Sequence, residues 1–103
     1  MGGHGQAQTQ AQLLARLAAG DDAQEVVAAP RFFVDPEASE PLLYLERRIP
    51  GAVQQALAGR EHPVRVLGDW EEIMGHAQLI EIQPSGAFVG GGDPRTDGHV
   101  AAW

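Results

Sequence analysis

The sequence predicts an α+β or layered α/β chain. Apolar residues recur at helical spacing near the amino terminus, and they alternate at strand spacing around Leu79. Between these regions, short β-branched and aromatic runs are separated by proline and glycine punctuation. The resulting order is helix, helix, strand, strand, helix, strand, hairpin. Helices precede most strands, so part of a larger layered sandwich is expected rather than a closed domain.

Residues Gln6 to Ala19 read as the first helix, with Leu13, Leu14, Leu17 and Ala18 at helical spacing and Gly20 as its stop. Asp22 then caps a short second helix, with Glu25 three residues on as a capping-box partner and Pro30 at its end. Arg31 to Val34 and Leu42 to Glu46 read as strands, separated by a polar, proline-flanked loop. Pro50 suits the first turn of a third helix, whose buried face is expected to be Val53, Ala56 and Leu57. Val64 and Val66 suggest a strand, and Gly68 to Gly75 a loop. Ala77 to Gln83, the turn Pro84-Ser85-Gly86 and Ala87 to Val89 form a hairpin, expected to be core. Gly90-Gly91-Gly92 is expected to break it. The tail Val100 to Trp103 is apolar enough to dock.

Composition narrows the function classes. Apolar residues make up 44%, an ordinary globular share. All seven basic residues are Arg, and the net charge of -7 repels the phosphates of nucleic acids and of anionic membrane surfaces. No apolar run can span a bilayer. Met1 to Gly5 has neither the basic nor the apolar stretch of a signal peptide. Cysteine is absent, so disulfides and thiolate metal sites are excluded, and localisation stays unreadable.

The hydroxyl side chains Thr9, Ser39, Ser85, Thr96 and Tyr44 stand in no nucleophile-elbow pattern and beside no His that could act as base. Thr9 falls inside the first helix, whereas an N-terminal nucleophile needs its own free amine, so Thr9 reads as structural. His4, His62, His76 and His99 match no metal-ligand spacing, and no metal or cofactor is expected. Asp93-Pro94-Arg95 and Asp97-Gly98 could hold a catalytic carboxylate pair; the plainer reading is a turn pinned by an Asp–Arg ion pair. Gly2 and Gly3 precede a helix, where glycines let a ligand approach backbone N–H groups at the positive helix end.

Four stretches together resemble the end of the gamma-glutamyltranspeptidase family. They are Met1-Gly2-Gly3-His4-Gly5-Gln6-Ala7-Gln8-Thr9-Gln10, Ala28-Ala29-Pro30-Arg31-Phe32, Gly75-His76-Ala77-Gln78 and Asp93-Pro94-Arg95, in the family's order and at similar separations. The resemblance covers nearly the whole of residues 1–103, read as a single segment from the C-terminal part of the small subunit. It implies a partial αββα sandwich of the N-terminal nucleophile hydrolase type. It also implies gamma-glutamyl transfer or hydrolysis on glutathione-type substrates, begun by the Thr that self-cleavage exposes. Gly2 and Gly3 fall on the family's oxyanion-hole pair, and Asp93-Pro94-Arg95 on a structural stretch.

In the family the nucleophilic Thr and the residues that hold the substrate's amino group lie upstream of the glycine pair. The Arg that meets the substrate carboxylate belongs to the large subunit. The chain is therefore expected to supply oxyanion hole and scaffold, to be inactive alone, and to reflect a truncated gene, an internal start or half of a split protein. Expected partners are a gamma-glutamyl substrate in the presence of upstream chain, and an upstream subunit or a second copy of the chain. Phe32, Phe33, Val34, Leu42 and Leu43 are expected on the surfaces that recruit them. The rival expectation is a non-catalytic, acidic α+β interaction or structural module.

Overall fold

The computed structural model describes residues 3–102. Helix α1 (Gln6–Ala18) stops at Gly20, whose φ of 98° only glycine adopts without strain. Leu13 is buried and Leu17 packs beside it, but Leu14 points to solvent, so the apolar stripe is narrower than the spacing predicts. Helix α2 (Ala23–Ala28) starts as expected. The Asp22 carboxylate accepts from the Glu25 N–H at 2.8 Å, and Glu25 accepts from the Asp22 N–H at 2.9 Å. These bonds satisfy donors that a helix start would otherwise leave unpaired.

Strands β1 (Phe32–Asp35), β2 (Leu42–Leu45) and β3 (Val64–Val66) form one sheet in that order. β1 and β2 are antiparallel, with Phe33 opposite Tyr44 and their rings stacked 6.3 Å apart. β2 and β3 are parallel, which requires a crossover, and helix α3 (Gly51–Gly59) provides it. α3 differs from its predicted role as a buried element. None of its residues is buried, and Val53 and Ala56 are exposed, because this short helix touches mainly β3 and leaves an open cleft towards α1.

Strands β4 (Gln78–Ile82) and β5 (Phe88–Gly92) form a separate antiparallel hairpin. The glycines 90–92 do not break the strand as the sequence suggests: they are its paired end, with Gly91 opposite Leu79. A Cβ on Gly91 would lie 2.4 Å from the Ala23 carbonyl oxygen, so the missing side chain lets α2 lie directly on β5.

The apolar core joins α1, α2 and the start of the hairpin through Leu13, Val26, Val27 and Ala77, with Leu17 and Leu79 beside them. The hairpin is therefore core on one face only. On the other face Ile80, Ile82 and Phe88 are 70%, 71% and 72% exposed. Of the residues expected on recruiting surfaces, Phe32 and Val34 are exposed, while Phe33, Leu42 and Leu43 are half-buried. Val100 packs over Gly90 but stays half exposed, and Trp103 lies outside the described residues.

Candidate functional site

The turn that leads into α1 carries Gly3, one of the two candidate oxyanion-hole glycines. Gly3 has a φ of 147°, in the region that favours glycine, and its carbonyl accepts from the Gln6 N–H at 3.1 Å. Among the described residues, a Cβ on Gly3 would meet nothing within 4 Å. The first turn of α1 holds no acidic side chain to occupy its positive end. Gly2 lies outside the described residues.

Thr9 is one turn further on. Its hydroxyl donates to the Met74 carbonyl at 3.2 Å, which ties α1 to the Glu72–Met74 turn in the structural role predicted for it. A cleft of about 170 Å³ beside it gathers Gln6, Gln10, His76 and Gln78. His4 stands apart, with Nε2 3.4 Å from the Glu37 carboxylate in an exposed contact. Among the described residues no group of His, Asp and Glu could hold a metal ion, and no helix is long and apolar enough to cross a membrane.

Asp93 and Arg95 meet as the turn reading predicts, at 3.0 Å. They belong to a larger buried lattice that the sequence did not reveal. Arg95 Nε donates to Glu46 Oε1 at 2.6 Å, and Arg31 reaches Asp93 at 2.8 Å. Glu46 also accepts from the Arg31 and Glu71 N–H groups, and Asp93 from the Ala77 and Arg95 N–H groups. Arg48 closes one side: it bonds Glu46 at 3.2 Å, and its guanidinium carbon stands 3.4 Å from the centre of the Trp70 ring.

Three arginines facing two carboxylates leave one positive charge over, and the end of α2 explains it. Arg31 and Arg95 both donate to the Val27 carbonyl, Arg48 to Ala28 and Arg95 to Ala29. These are the carbonyls that a helix leaves unpaired at its negative end.

Burial alone would raise the Glu46 carboxyl. The side-chain bonds from Arg95 and the backbone N–H groups of Glu71 and Arg31 outweigh it and hold Glu46 below the usual carboxylate range. Burial likewise opposes ionisation of Asp93, and the N–H groups of Arg95 and Ala77, then the charges of Arg31 and Arg95, bring it below its ordinary value. Burial, then repulsion by Arg95, lowers Arg31, yet a guanidinium stays protonated in proteins. Both carboxylates are thus ionised and fully bonded. Asp93 is buried with both oxygens bonded inside the lattice, so it does not form a catalytic carboxylate pair with Asp97.

The family model for gamma-glutamyltranspeptidase matches residues 1–103. This chain belongs to the gamma-glutamyltranspeptidase family. It is 40% identical to the oxamate amidohydrolase proenzyme of Klebsiella pneumoniae, with all of this chain and 20% of that protein matched. It is 36% identical to the glutathione hydrolase-like YwrD proenzyme of Bacillus subtilis, with 94% of this chain and 19% of that protein matched. The chain thus spans about a fifth of the length of these curated relatives.

Among solved structures, cephalosporin acylase from Bacillus halodurans superposes with a TM-score of 0.85 at 34% identity, covering 100% of this chain and 19% of the acylase. An acivicin-inhibited gamma-glutamyltranspeptidase superposes at 0.72 and 25% identity, covering 88% of this chain and 48% of that one. The α+β fold is accordingly part of the αββα sandwich of the N-terminal nucleophile hydrolases. In a family member, the buried lattice around Asp93-Pro94-Arg95 reads as framework that joins α2 to both sheets.

Proposed function

We propose that this chain serves gamma-glutamyl transfer or hydrolysis as the C-terminal segment of a larger catalytic unit, with residues 1–103 acting as one piece. It supplies the scaffold and, through the N–H groups of Gly2 and Gly3, the oxyanion hole. The observation that carries this reading is the family match over residues 1–103; Gly3, just ahead of α1, is consistent with it. The named chemistries of the relatives support it: an oxamate amidohydrolase and a glutathione hydrolase-like protein both point to attack on an amide carbonyl. Such attack puts negative charge on the carbonyl oxygen, and fixed N–H donors stabilise it where it develops.

In this reading the nucleophilic Thr comes from the upstream segment and attacks the gamma-glutamyl carbonyl. The amine leaves, and water or an acceptor amine then takes the acyl group. Thr9 cannot substitute, because its backbone nitrogen is part of α1 and donates to the Gly5 carbonyl at 3.0 Å. The substrate, of glutathione type, binds only when the upstream chain is present. Nucleic acid and membrane are not partners of a surface with a net charge of -7. The exposed face of Ile80, Ile82 and Phe88 favours a second reading, a module that packs on the upstream subunit or on a second copy of itself.

A gamma-glutamyl anilide tests the first reading. The isolated chain should release the chromophore no faster than buffer. Release above that rate, lost in Thr9→Ala, would contradict the assignment of the nucleophile to another segment.

A further inference from the structure

Among the described residues the outer edge of β1 has no strand beside it, yet its backbone is paired. Gln8 Nε2 donates to the Val34 carbonyl at 2.8 Å, and the Val34 N–H donates to Gln8 Oε1 at 2.9 Å. One helical turn later, Gln12 Nε2 donates to the Phe32 carbonyl at 2.9 Å, and the Phe32 N–H donates to Gln12 Oε1 at 3.0 Å. Each side-chain amide makes both bonds that a residue of a neighbouring strand would make. The residue between, Phe33, pairs with Tyr44 on the other side.

The two repeats match in length. Four helical residues rise about 6.0 Å, and two strand residues about 6.8 Å, so glutamines at i and i+4 fall opposite alternate strand residues. The row continues one step further to His4, which faces Glu37 at 3.4 Å just beyond β1.

The apolar anchors of α1, Leu13 and Leu17, lie in its second half. In its first half Gln6, Ala7, Gln10 and Ala11 are exposed, and the side-chain hydrogen bonds that hold this half to the rest of the fold come from Gln8 and Thr9. We propose that Gln8 and Gln12 are positioning residues, whose amides lock α1 in register along β1 and so set where the glycine turn before α1 stands. This inference rests on the reading of Gly2 and Gly3 as oxyanion-hole glycines. Gln8, nearer that turn, carries most of the effect.

Amide hydrogen exchange and chemical shifts of the full chain test the lock by itself. Gln8→Leu should speed exchange of the Val34 amide by about tenfold or more and shift the His4 and Gly5 resonances, while the Phe32 amide stays protected. Gln12→Leu should expose Phe32 first. Gln8→Glu keeps the acceptor for the Val34 N–H and loses the donor to its carbonyl, so its effect should be intermediate. Unchanged Val34 exchange in Gln8→Leu, or lost protection with Gly5 unmoved, overturns the inference.

The second arm places Gln8→Leu in a chimaera carrying this chain in place of the matching stretch of the Bacillus subtilis relative. There kcat should fall with KM little changed, and an unchanged kcat overturns the inference. A chimaera that is inactive with the unaltered chain contradicts the oxyanion-hole reading instead, and the exchange data then decide the positioning role alone.

Discussion

Arg95 donates from its Nε to Glu46 Oε1 at 2.6 Å, across 49 positions of sequence and with both side chains fully buried. The bond ties the segment after β5 to the end of β2, and through Arg95 the end of α2 is held as well. Removing one partner of a buried pair leaves an uncompensated charge. Glu46→Ala should therefore cost about 3–5 kcal/mol, a large part of the roughly 5–15 kcal/mol that holds a small domain together. Glu46→Gln keeps the shape and should cost less. Urea unfolding of the two variants checks the order.

Acid should loosen the fold through the same residues. Glu46 and Asp93 are both held below their ordinary values in the folded chain, so the stability they contribute is present above the unfolded carboxylate value. It is lost as pH falls through the lower folded values, below about pH 4. The melting temperature should be nearly flat from neutrality to about pH 5 and drop below about pH 4. In Glu46→Gln the drop should be smaller.

Gly91→Ala tests the contact of α2 with β5. The new methyl would meet the Ala23 carbonyl oxygen at 2.4 Å, and backbone cannot swing aside as a flexible side chain can. A loss of roughly 1–3 kcal/mol is expected. An unchanged melting temperature would show that α2 does not sit on the strand.

The hairpin should respond differently on its two faces. Leu79 borders the core, so Leu79→Ala should cost about 2 kcal/mol, the low end for a buried leucine because this one is only partly covered. Ile82→Thr on the open face should stay within about 0.5 kcal/mol. The open face should instead govern association: in sedimentation the chain should form a closed oligomer, and Phe88→Glu should shift it towards monomer. A monomer at every concentration would remove that expectation.

Helix ends and turns were legible because their chemistry is local: Asp22 with Glu25, Gly20 after α1, and Pro84-Ser85-Gly86 between the hairpin strands. The burial of α3 was misread because an apolar spacing says which side would face a core, not whether a core is there. The role of the glycines 90–92 was misread for a related reason, since only the approach of α2 explains why a strand there carries no side chains. The Asp93–Arg95 half of the lattice, two residues apart, could be read, while Arg31 and Glu46 could not. Nothing local separates a buried Arg or Glu from an exposed one when its partner is tens of residues away. The i, i+4 spacing of Gln8 and Gln12 gains meaning only with β1 beside them.

We propose that this chain completes a gamma-glutamyl-processing site that it does not form alone. The most direct test is gamma-glutamyl anilide hydrolysis by the chimaera in which this chain replaces the matching stretch of the Bacillus subtilis relative. Release well above the buffer rate is expected, with a fall in kcat on the order of 10²-fold in Gly3→Ala, which disturbs a backbone position whose φ is 147°. A folded, self-cleaved chimaera without activity, or one whose kcat is indifferent to Gly3→Ala, would contradict it.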